Sequence, residues 1–143
     1  NVFVLGTKPD GSDWRVGIKD PRNESGLAAI LSLRDAYAIT SGGYERYFEE
    51  NGKTYHHIID PATGYPADSG LRGVTVIDPC STKADALTTA LFVMGLDKGM
   101  KFCEENEIAA VFITSDKQVY TTSKTGDCTF EFLGEKKGYT YAE

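Results

Sequence analysis

The stretch KADALTTALFVMG, residues 83–95, decides the fold, because it is the plainest helical segment in the chain. Its apolar content predicts a helix from about residue 82 to residue 95, buried nearly all round. Two polar side chains interrupt it: Asp85 and, four residues later, Thr89. Residues four apart lie on the same face of a helix. The sequence therefore sets a carboxylate and a hydroxyl side by side on an otherwise apolar helix.

Strand patterns flank this helix on both sides. Residues 27–43 are apolar and β-rich, with a break near Arg34–Asp35 that indicates two short strands. A second, amphipathic helix is predicted at 96–107, with Leu96, Met100 and Phe102–Cys103 facing inward. Further strands are predicted at residues 2–6, 14–18, 73–78, 109–116, 117–123 and 129–134. This order predicts an α+β fold in which two consecutive helices pack on an antiparallel or mixed sheet.

A β-hairpin is predicted between the first strands and the helix. The aromatic residues Tyr44, Tyr47 and Phe48 lead into Asn51–Gly52, and residues 55–59 return. An Asn-Gly step between two such runs is a strong hairpin signal. We expect these aromatic side chains to form cross-strand pairs and part of the core.

Composition limits the classes of function. A chain of 143 residues is long enough for one domain with a substantial core. The net charge is −6 with no basic stripe, which argues against a nucleic-acid partner, so an anionic ligand needs a metal ion, a helix N-terminus or a glycine-rich turn. Cys80, Cys103 and Cys128 show no CxxC spacing, so a zinc site is not expected. The odd number of cysteines leaves at least one thiol free unless it pairs between chains.

The Asp85–Thr89 pair has two interpretations. Thr82 and Asp85 fit a capping box, with Thr82 as the N-cap residue and Asp85 reaching back to it. Alternatively, the carboxylate and the hydroxyl of Thr89 offer the oxygen-only coordination that suits Mg²⁺. Mg²⁺ usually binds few protein ligands, and water and phosphate oxygens occupy its other coordination positions. This second interpretation therefore implies a phosphorylated ligand.

The segment HHIIDPATG, residues 56–64, contains both histidines of the chain. Neighbouring residues of a strand point to opposite faces, so only one of His56 and His57 faces a given site, and spacing alone does not decide which. Imidazole titrates near neutral pH, which suits a general base. The residues from Asp60 to Gly64 are typical of a tight turn, in which Gly64 supplies a positive φ.

The segment TSGGYERY, residues 40–47, brings two glycines together. Paired glycines let a backbone approach a ligand closely, and their N–H groups can form an anion-binding nest. A simple bend before the hairpin explains the same pattern. Arg46 is a candidate phosphate contact, although a solvated surface arginine is the commoner role.

Taken together, SGGYERYF, HHIIDPATGYP and VTVIDPCSTKADALTTALFVMG resemble the ApbE family of flavin transferases. The opening residues, NVFVLGTKPDGSDWRVGIKDP, resemble a segment midway along those proteins, and the matching blocks run in family order to about residue 115. The resemblance implies a partial ApbE-like, T-fold-like domain. It also implies a chain, residues 1–143, that forms the C-terminal part of such a protein without its N-terminal half.

The resemblance implies a function. The family uses Mg²⁺ and FAD, transfers FMN to a Thr or Ser hydroxyl of a target protein, and releases AMP. Asp85 and Thr89 match the metal ligands of its D-A-L-x-T motif, and His57 matches the candidate base, which also lies at the cofactor. Ser41 and Gly42 match the S-G beside the flavin nucleotide. For Asp60 and Gly64 we expect a structural role.

The motifs also suit two other functions. The same residues would serve an FAD pyrophosphatase that makes FMN and AMP, or a non-catalytic flavin-binding fragment. The family implies an acceptor flavoprotein of the redox-complex subunit type. It also implies a location at the periplasmic face of the bacterial inner membrane, often as a lipoprotein. An open sheet edge at residue 1 predicts a homodimer or strand exchange.

Overall fold

The computed structural model describes residues 1–44, 47–123 and 128–142. Helix α1 spans Ser81–Met94 and helix α2 spans Leu96–Glu105, with Gly95 between them. A short 3₁₀ turn covers Glu135–Lys137. The strands are β1 (Val2–Val4), β2 (Trp14–Asp20), β3 (Asn23–Leu33), β4 (Ala36–Gly42), β5 (Tyr47–Glu50), β6 (Lys53–His56), β7 (Leu71–Asp78), β8 (Ala109–Thr114), β9 (Gln118–Thr121), β10 (Thr129–Phe132) and β11 (Thr140–Ala142).

A six-stranded sheet forms the centre of the fold, in the order β1-β4-β7-β8-β9-β11. Its neighbouring strands are antiparallel, except that β11 runs parallel to β9. Helix α1 packs against β4 and β7, and α2 packs against β8. The α+β prediction, with two consecutive helices on a mixed sheet, is confirmed.

Two cores lie on the two faces of this sheet, because side chains alternate along each strand. On the helix side, Val74 and Phe112 of the sheet pack with Leu91 and Phe92 of α1. On the other side, Val111 and its neighbours pack against a second sheet of order β10-β3-β2. The molecule is therefore a three-layer stack of helices, central sheet and second sheet, whereas the sequence predicted only a single sheet.

The predicted hairpin is present as a separate two-stranded sheet of β5 and β6. Asn51 and Gly52 have φ values of 51° and 73°, as a type I′ turn requires. Phe48 and Tyr55 stack across the strands with ring centroids 5.1 Å apart. The expectation that these aromatic residues join the core is wrong for Tyr47 and Phe48, which are exposed because nothing among the described residues covers the hairpin.

One strand boundary and one whole strand differ from the sequence prediction. Strand β3 begins at Asn23, four residues before the predicted strand region 27–43, since Pro21 and Arg22 alone separate Asp20 from its partner Asn23. Strand β11 was not predicted; it pairs in parallel with β9. The hydroxyl of Tyr139, just before β11, donates a 2.8 Å hydrogen bond to the buried carboxylate of Asp20. A long-range contact of this kind leaves no local sequence signal.

Helix α1 is buried on one side only, so the prediction of burial nearly all round is wrong. Its buried residues are Ala84, Thr88, Leu91 and Phe92, whereas Asp85, Ala86, Thr89 and Ala90 are exposed. The reason is geometric: the helix rests on one face of the sheet, and its opposite side meets no other described element. No helix in the described ranges has the length and apolar character needed to cross a membrane.

Strand β1 lies at one edge of the central sheet and pairs only with β4 among the described strands. Val2 and Phe3 are 43% and 47% exposed there. An unpaired strand edge can template pairing with another chain. Dimerisation or strand exchange through this edge stays a prediction.

Candidate active site

The start of helix α1 excludes the capping box. The N-cap residue is Cys80, and its side chain makes no capping hydrogen bond. Thr82 is therefore the second helical residue, and Asp85 lies too far along the helix to reach back to the N-cap N–H. The capping-box interpretation of Thr82 and Asp85 is wrong, and it does not account for Asp85.

Asp78, at the end of β7, holds the start of the helix instead. Its Oδ1 accepts the N–H of Cys80 at 2.8 Å, and its Oδ2 forms an ion pair with Lys83 Nζ at 2.7 Å. The side chain of Asp78 is only 11% exposed, whereas that of Lys83 is 55% exposed, so the carboxylate is buried while the lysine remains open to solvent. The loop from β7 into α1 is thereby fixed without any contribution from Asp85.

Asp85 and Thr89 lie on the exposed side of α1, as their spacing predicts. The carboxylate of Asp85 has no hydrogen-bond or ion-pair partner among the described residues. Within the described ranges, Thr89 Oγ1 has one hydrogen-bond neighbour, Ser41 Oγ, at 3.4 Å. Two oxygen donors of this kind are therefore available to a ligand on the surface of the helix.

Ser41 connects this surface to the buried side of the helix. It lies on β4, opposite Val74 of β7, and its Oγ is 2.8 Å from Thr88 Oγ1. Thr88 is fully buried, and its hydroxyl donates a 2.8 Å hydrogen bond to the backbone carbonyl of Asp85. The three hydroxyls of Ser41, Thr88 and Thr89 thus form a short chain beside Asp85.

The donor set fits Mg²⁺ by its chemistry. Mg²⁺ takes one or two carboxylates, hydroxyl oxygens and water, and it needs no cluster of protein ligands. Within the described residues no group of three or more His, Cys, Asp or Glu side chains is placed to hold a metal ion. A single carboxylate with an adjacent hydroxyl, both open to solvent, matches a Mg²⁺ ion shared with a phosphorylated ligand better than a structural metal centre.

The two histidines have different environments. His56, the last residue of β6, is half-buried, and its Nε2 is 3.1 Å from the carbonyl oxygen of Ala67. Its Nδ1 accepts the N–H of Ile58 at 3.3 Å, and its ring meets Phe92 edge-on at 5.6 Å. His57, next along the chain, is exposed. The bonds of His56 give it a structural role in the fold. The assignment of His57 as the base stays a prediction.

The glycine pair makes room for neighbouring groups. A Cβ on Gly42 would lie 2.8 Å from the carbonyl oxygen of Arg72 and 2.4 Å from the ring of Tyr44. A Cβ on Gly43 would lie 2.8 Å from the ring of His56. Neither glycine has a positive φ. The close approach that these glycines permit is therefore to protein atoms. The anion-binding nest stays a prediction.

The turn from Asp60 to Gly64 is built as its sequence predicts. The carbonyl oxygen of Asp60 accepts the N–H of Gly64 at 2.8 Å, and its Oδ1 accepts the N–H of Ala62 at 2.9 Å. Gly64 has φ +72°. The carbonyl and the carboxylate of Asp60 thus both bond to the backbone of its own turn, which agrees with a structural role.

A cavity of about 330 Å³ lies beside His56, between the hairpin and the end of α1. The Oγ of Ser69, at its wall, is shielded from solvent and has no hydrogen-bond partner in the described part of the chain. Asp85 and Thr89 lie on the open helix surface outside this cavity. Its lining includes Gly43, Tyr65, Ser69, Arg72, Phe92 and Ser115.

Thr88 is the residue that sequence reasoning missed. The sequence offered one sign of it, the adjacent threonines at 88 and 89, but only Thr89 was predicted to lie at the site. The position of Arg46, the candidate phosphate contact, falls outside the described residues, so that hypothesis stays untested.

Comparison with known proteins adds independent findings. The ApbE family model matches residues 1–112. The FAD:protein FMN transferase of Treponema pallidum is 43% identical over 129 residues, which cover 83% of this chain and 36% of that protein. That of Haemophilus influenzae is 37% identical over 138 residues, covering 95% of this chain. The chain spans between 36% and 39% of the length of these two relatives.

Among solved structures, the ApbE protein of Thermotoga maritima is 38% identical and superposes with a TM-score of 0.75. That match covers 82% of this chain and 38% of the other. At this identity and TM-score, the solved structure and the described residues share the same three-dimensional arrangement as well as related sequences.

Proposed function

Because the chain belongs to the ApbE family, we propose that it carries the metal-binding and proton-accepting residues of an FMN transferase. In the proposed reaction, a Thr or Ser hydroxyl of an acceptor protein attacks the FMN phosphorus of FAD. The P–O–P bond breaks, AMP leaves, and a phosphoester joins FMN to the acceptor. The observation that carries the proposal is the exposed Asp85–Thr89 pair, whose oxygens have so few protein partners.

Asp85 and Thr89 would hold Mg²⁺ against the pyrophosphate of FAD. When bound, the ion neutralises the pyrophosphate and stabilises the charge that develops on the leaving AMP. The N-terminus of α1, at Ser81, lies one turn before Asp85. The positive electrostatic potential of a helix N-terminus also favours binding of a phosphate group. Ser41 and Gly42, at the end of β4 beside this helix, remain our prediction for residues at the flavin nucleotide.

His57 is the proposed base. It would accept the proton of the acceptor hydroxyl as the new P–O bond forms, a contribution typically of about 10²–10⁴-fold in rate. His56 is unsuited to this task, because both of its ring nitrogens already bond to the backbone, at Ala67 and Ile58. Protonation of His56 would break the bond from the N–H of Ile58. The choice of His57 rests on its match to the family's histidine directly before the I-x-D-P motif.

The relatives' names imply a protein acceptor and FAD as the donor. From the family, we expect an acceptor flavoprotein of the redox-complex subunit type at the periplasmic face of the inner membrane. Transfer to water instead of a protein hydroxyl would make the chain an FAD pyrophosphatase. The two reactions differ in their products: the transferase gives a protein that carries FMN, whereas the pyrophosphatase gives free FMN.

The first test is calorimetric titration of FAD into the chain with and without Mg²⁺. Asp85→Ala is the test variant, and Asp97→Ala, an exposed acid in the first turn of α2, is the matched control. We expect FAD binding that requires both Mg²⁺ and Asp85 and is unchanged in Asp97→Ala. Binding that ignores Mg²⁺ and Asp85 would remove the metal site from the proposal.

The second test follows the products of a reaction with FAD, Mg²⁺ and a candidate acceptor protein. Mass spectrometry should find an FMN adduct on a Thr or Ser, with an equal amount of AMP. AMP and free FMN without an adduct would identify a pyrophosphatase. Asp85→Ala that still produces AMP would show that this helix does not carry the reaction.

A further inference from the structure

The hydroxyls beside Asp85 fix the direction of one another's hydrogen bonds. Each hydroxyl has a single proton to donate. Thr88 gives its proton to the carbonyl oxygen of Asp85 at 2.8 Å, since a carbonyl can only accept. The 2.8 Å contact between Thr88 and Ser41 must therefore be donated by Ser41.

The same reasoning extends to Thr89. Because Ser41 has given its proton to Thr88, it can only accept at its 3.4 Å contact with Thr89 Oγ1. The proton of Thr89 therefore points toward Ser41, into the protein. The lone pairs of Thr89 Oγ1 accept no hydrogen bond from the described residues, and a cation can approach them.

We propose that Thr88 and Ser41 are positioning residues that orient the hydroxyl of Thr89 for a divalent cation. This inference rests on the proposed function, in which Thr89 is a metal ligand. Without Thr88, the proton of Ser41 is free to turn toward Thr89 Oγ1. It would then occupy the lone pair of Thr89 Oγ1 on the protein side, and the proton of Thr89 itself would have to turn outward, toward the cation.

The chain contains a matched control for this arrangement. On the opposite face of the same sheet, the hydroxyls of Thr40 and Thr75 lie 2.8 Å apart. Thr75 is 2% exposed, so it is buried like Thr88. Thr75→Val removes one buried hydroxyl from β7, and with it a hydroxyl–hydroxyl contact of the same length, without touching α1.

The first experiment measures how FAD binding depends on the Mg²⁺ concentration. Loss of a residue that orients a metal ligand typically lowers metal affinity by about 10–100-fold. We expect a fall of that order for Thr88→Val, recovery in Thr88→Ser, which keeps the hydroxyl, and no change in Thr75→Val. If Asp85→Ala abolishes Mg²⁺ dependence while Thr88→Val matches the unaltered protein, the positioning role is wrong and the metal site stands.

The second experiment needs no metal. Proton couplings between Hα and Hβ report the side-chain rotamer of Ser41 by NMR. We expect one rotamer in the unaltered chain and in Thr88→Ser, and an average over several in Thr88→Val. A single unchanged rotamer in Thr88→Val would overturn the inference whatever the metal does. A third outcome separates the two proposals. If Ser41 loses its single rotamer in Thr88→Val, but neither Thr88→Val nor Asp85→Ala alters the Mg²⁺ dependence of FAD binding, the proposed metal site is wrong. The positioning of Ser41 by Thr88 is then upheld.

Discussion

Replacing Gly43 with alanine should destabilise the protein through His56. A Cβ at this position would lie 2.8 Å from Cδ2, 3.2 Å from Cγ and 3.3 Å from Nε2 of the His56 ring. The ring cannot turn away freely, because its nitrogens bond to the backbone at Ala67 and Ile58 and its edge rests on Phe92. Either the ring shifts and these bonds weaken, or the backbone of Gly43 moves.

The expected cost follows from these contacts. Overpacking a close-packed site typically costs about 1–3 kcal/mol. Two hydrogen bonds at about 0.5–1.5 kcal/mol each are at risk if the ring moves. Gly43 has no positive φ, so the loss of unfolded-chain entropy on changing Gly to Ala returns about 0.4–1 kcal/mol. We expect a net loss of about 1–2 kcal/mol in the free energy of unfolding.

Urea unfolding measures this loss as a lower midpoint at an unchanged m-value. Gly73→Ala is the matched control, because its Cβ would meet its nearest neighbours at 3.8 Å, an ordinary contact. Adding His56→Ala to Gly43→Ala should relieve the clash, so the double variant should lose less than the sum of the single variants. Additivity within about 0.5 kcal/mol would refute the assignment of the clash to the His56 ring.

Two further predictions concern the cysteines, all of which are free thiols. Cys80 is exposed while Cys103 and Cys128 are buried, so a thiol reagent should label one cysteine quickly in the folded chain and three in urea; rapid labelling of two or more in the folded chain would contradict this placement. Burial raises the pKa of Cys103 to about 12 and that of Cys128 to about 11, from 9.0. The unfolded chain therefore releases these protons first, and the free energy of unfolding should fall as pH rises above about 9, by at most ~1.4 kcal/mol per pH unit for each thiol. Urea unfolding at several pH values measures this slope. Cys103→Ala should reduce it, and a slope unchanged in that variant would exclude the thiol as its source.

Local structure was predictable where neighbouring residues determine it. Asn51–Gly52 fixed a type I′ turn, and the segment from Asp60 to Gly64 closed on its own backbone, because each depends on residues within a few positions. The i, i+4 spacing likewise put Asp85 and Thr89 on one helix face. These interactions need no knowledge of the rest of the fold.

Features that depend on distant segments could not be predicted in this way. Three features depend on how the layers of the fold pack together. They are the second sheet, the parallel pairing of β11 with β9, and the hydrogen bond that Asp78 accepts at the start of α1. The pattern of Thr82 and Asp85 matched a capping box in spacing, yet the observed N-cap residue is Cys80, two positions before Thr82. This two-residue shift leaves Asp85 too far along the helix to complete the box.

Thr88 shows how the buried side of a helix can control its exposed side. Successive residues of an α-helix are about 100° apart, so Thr88 faces the sheet while Thr89 faces solvent. Ser41, from a strand 47 positions earlier in the chain, contacts both hydroxyls and transmits the proton direction from one to the other. The D-A-L-x-T pattern leaves residue 88 unspecified. In this chain that position holds the hydroxyl on which the orientation of Thr89 depends, so a substitution there should alter metal binding without touching the metal.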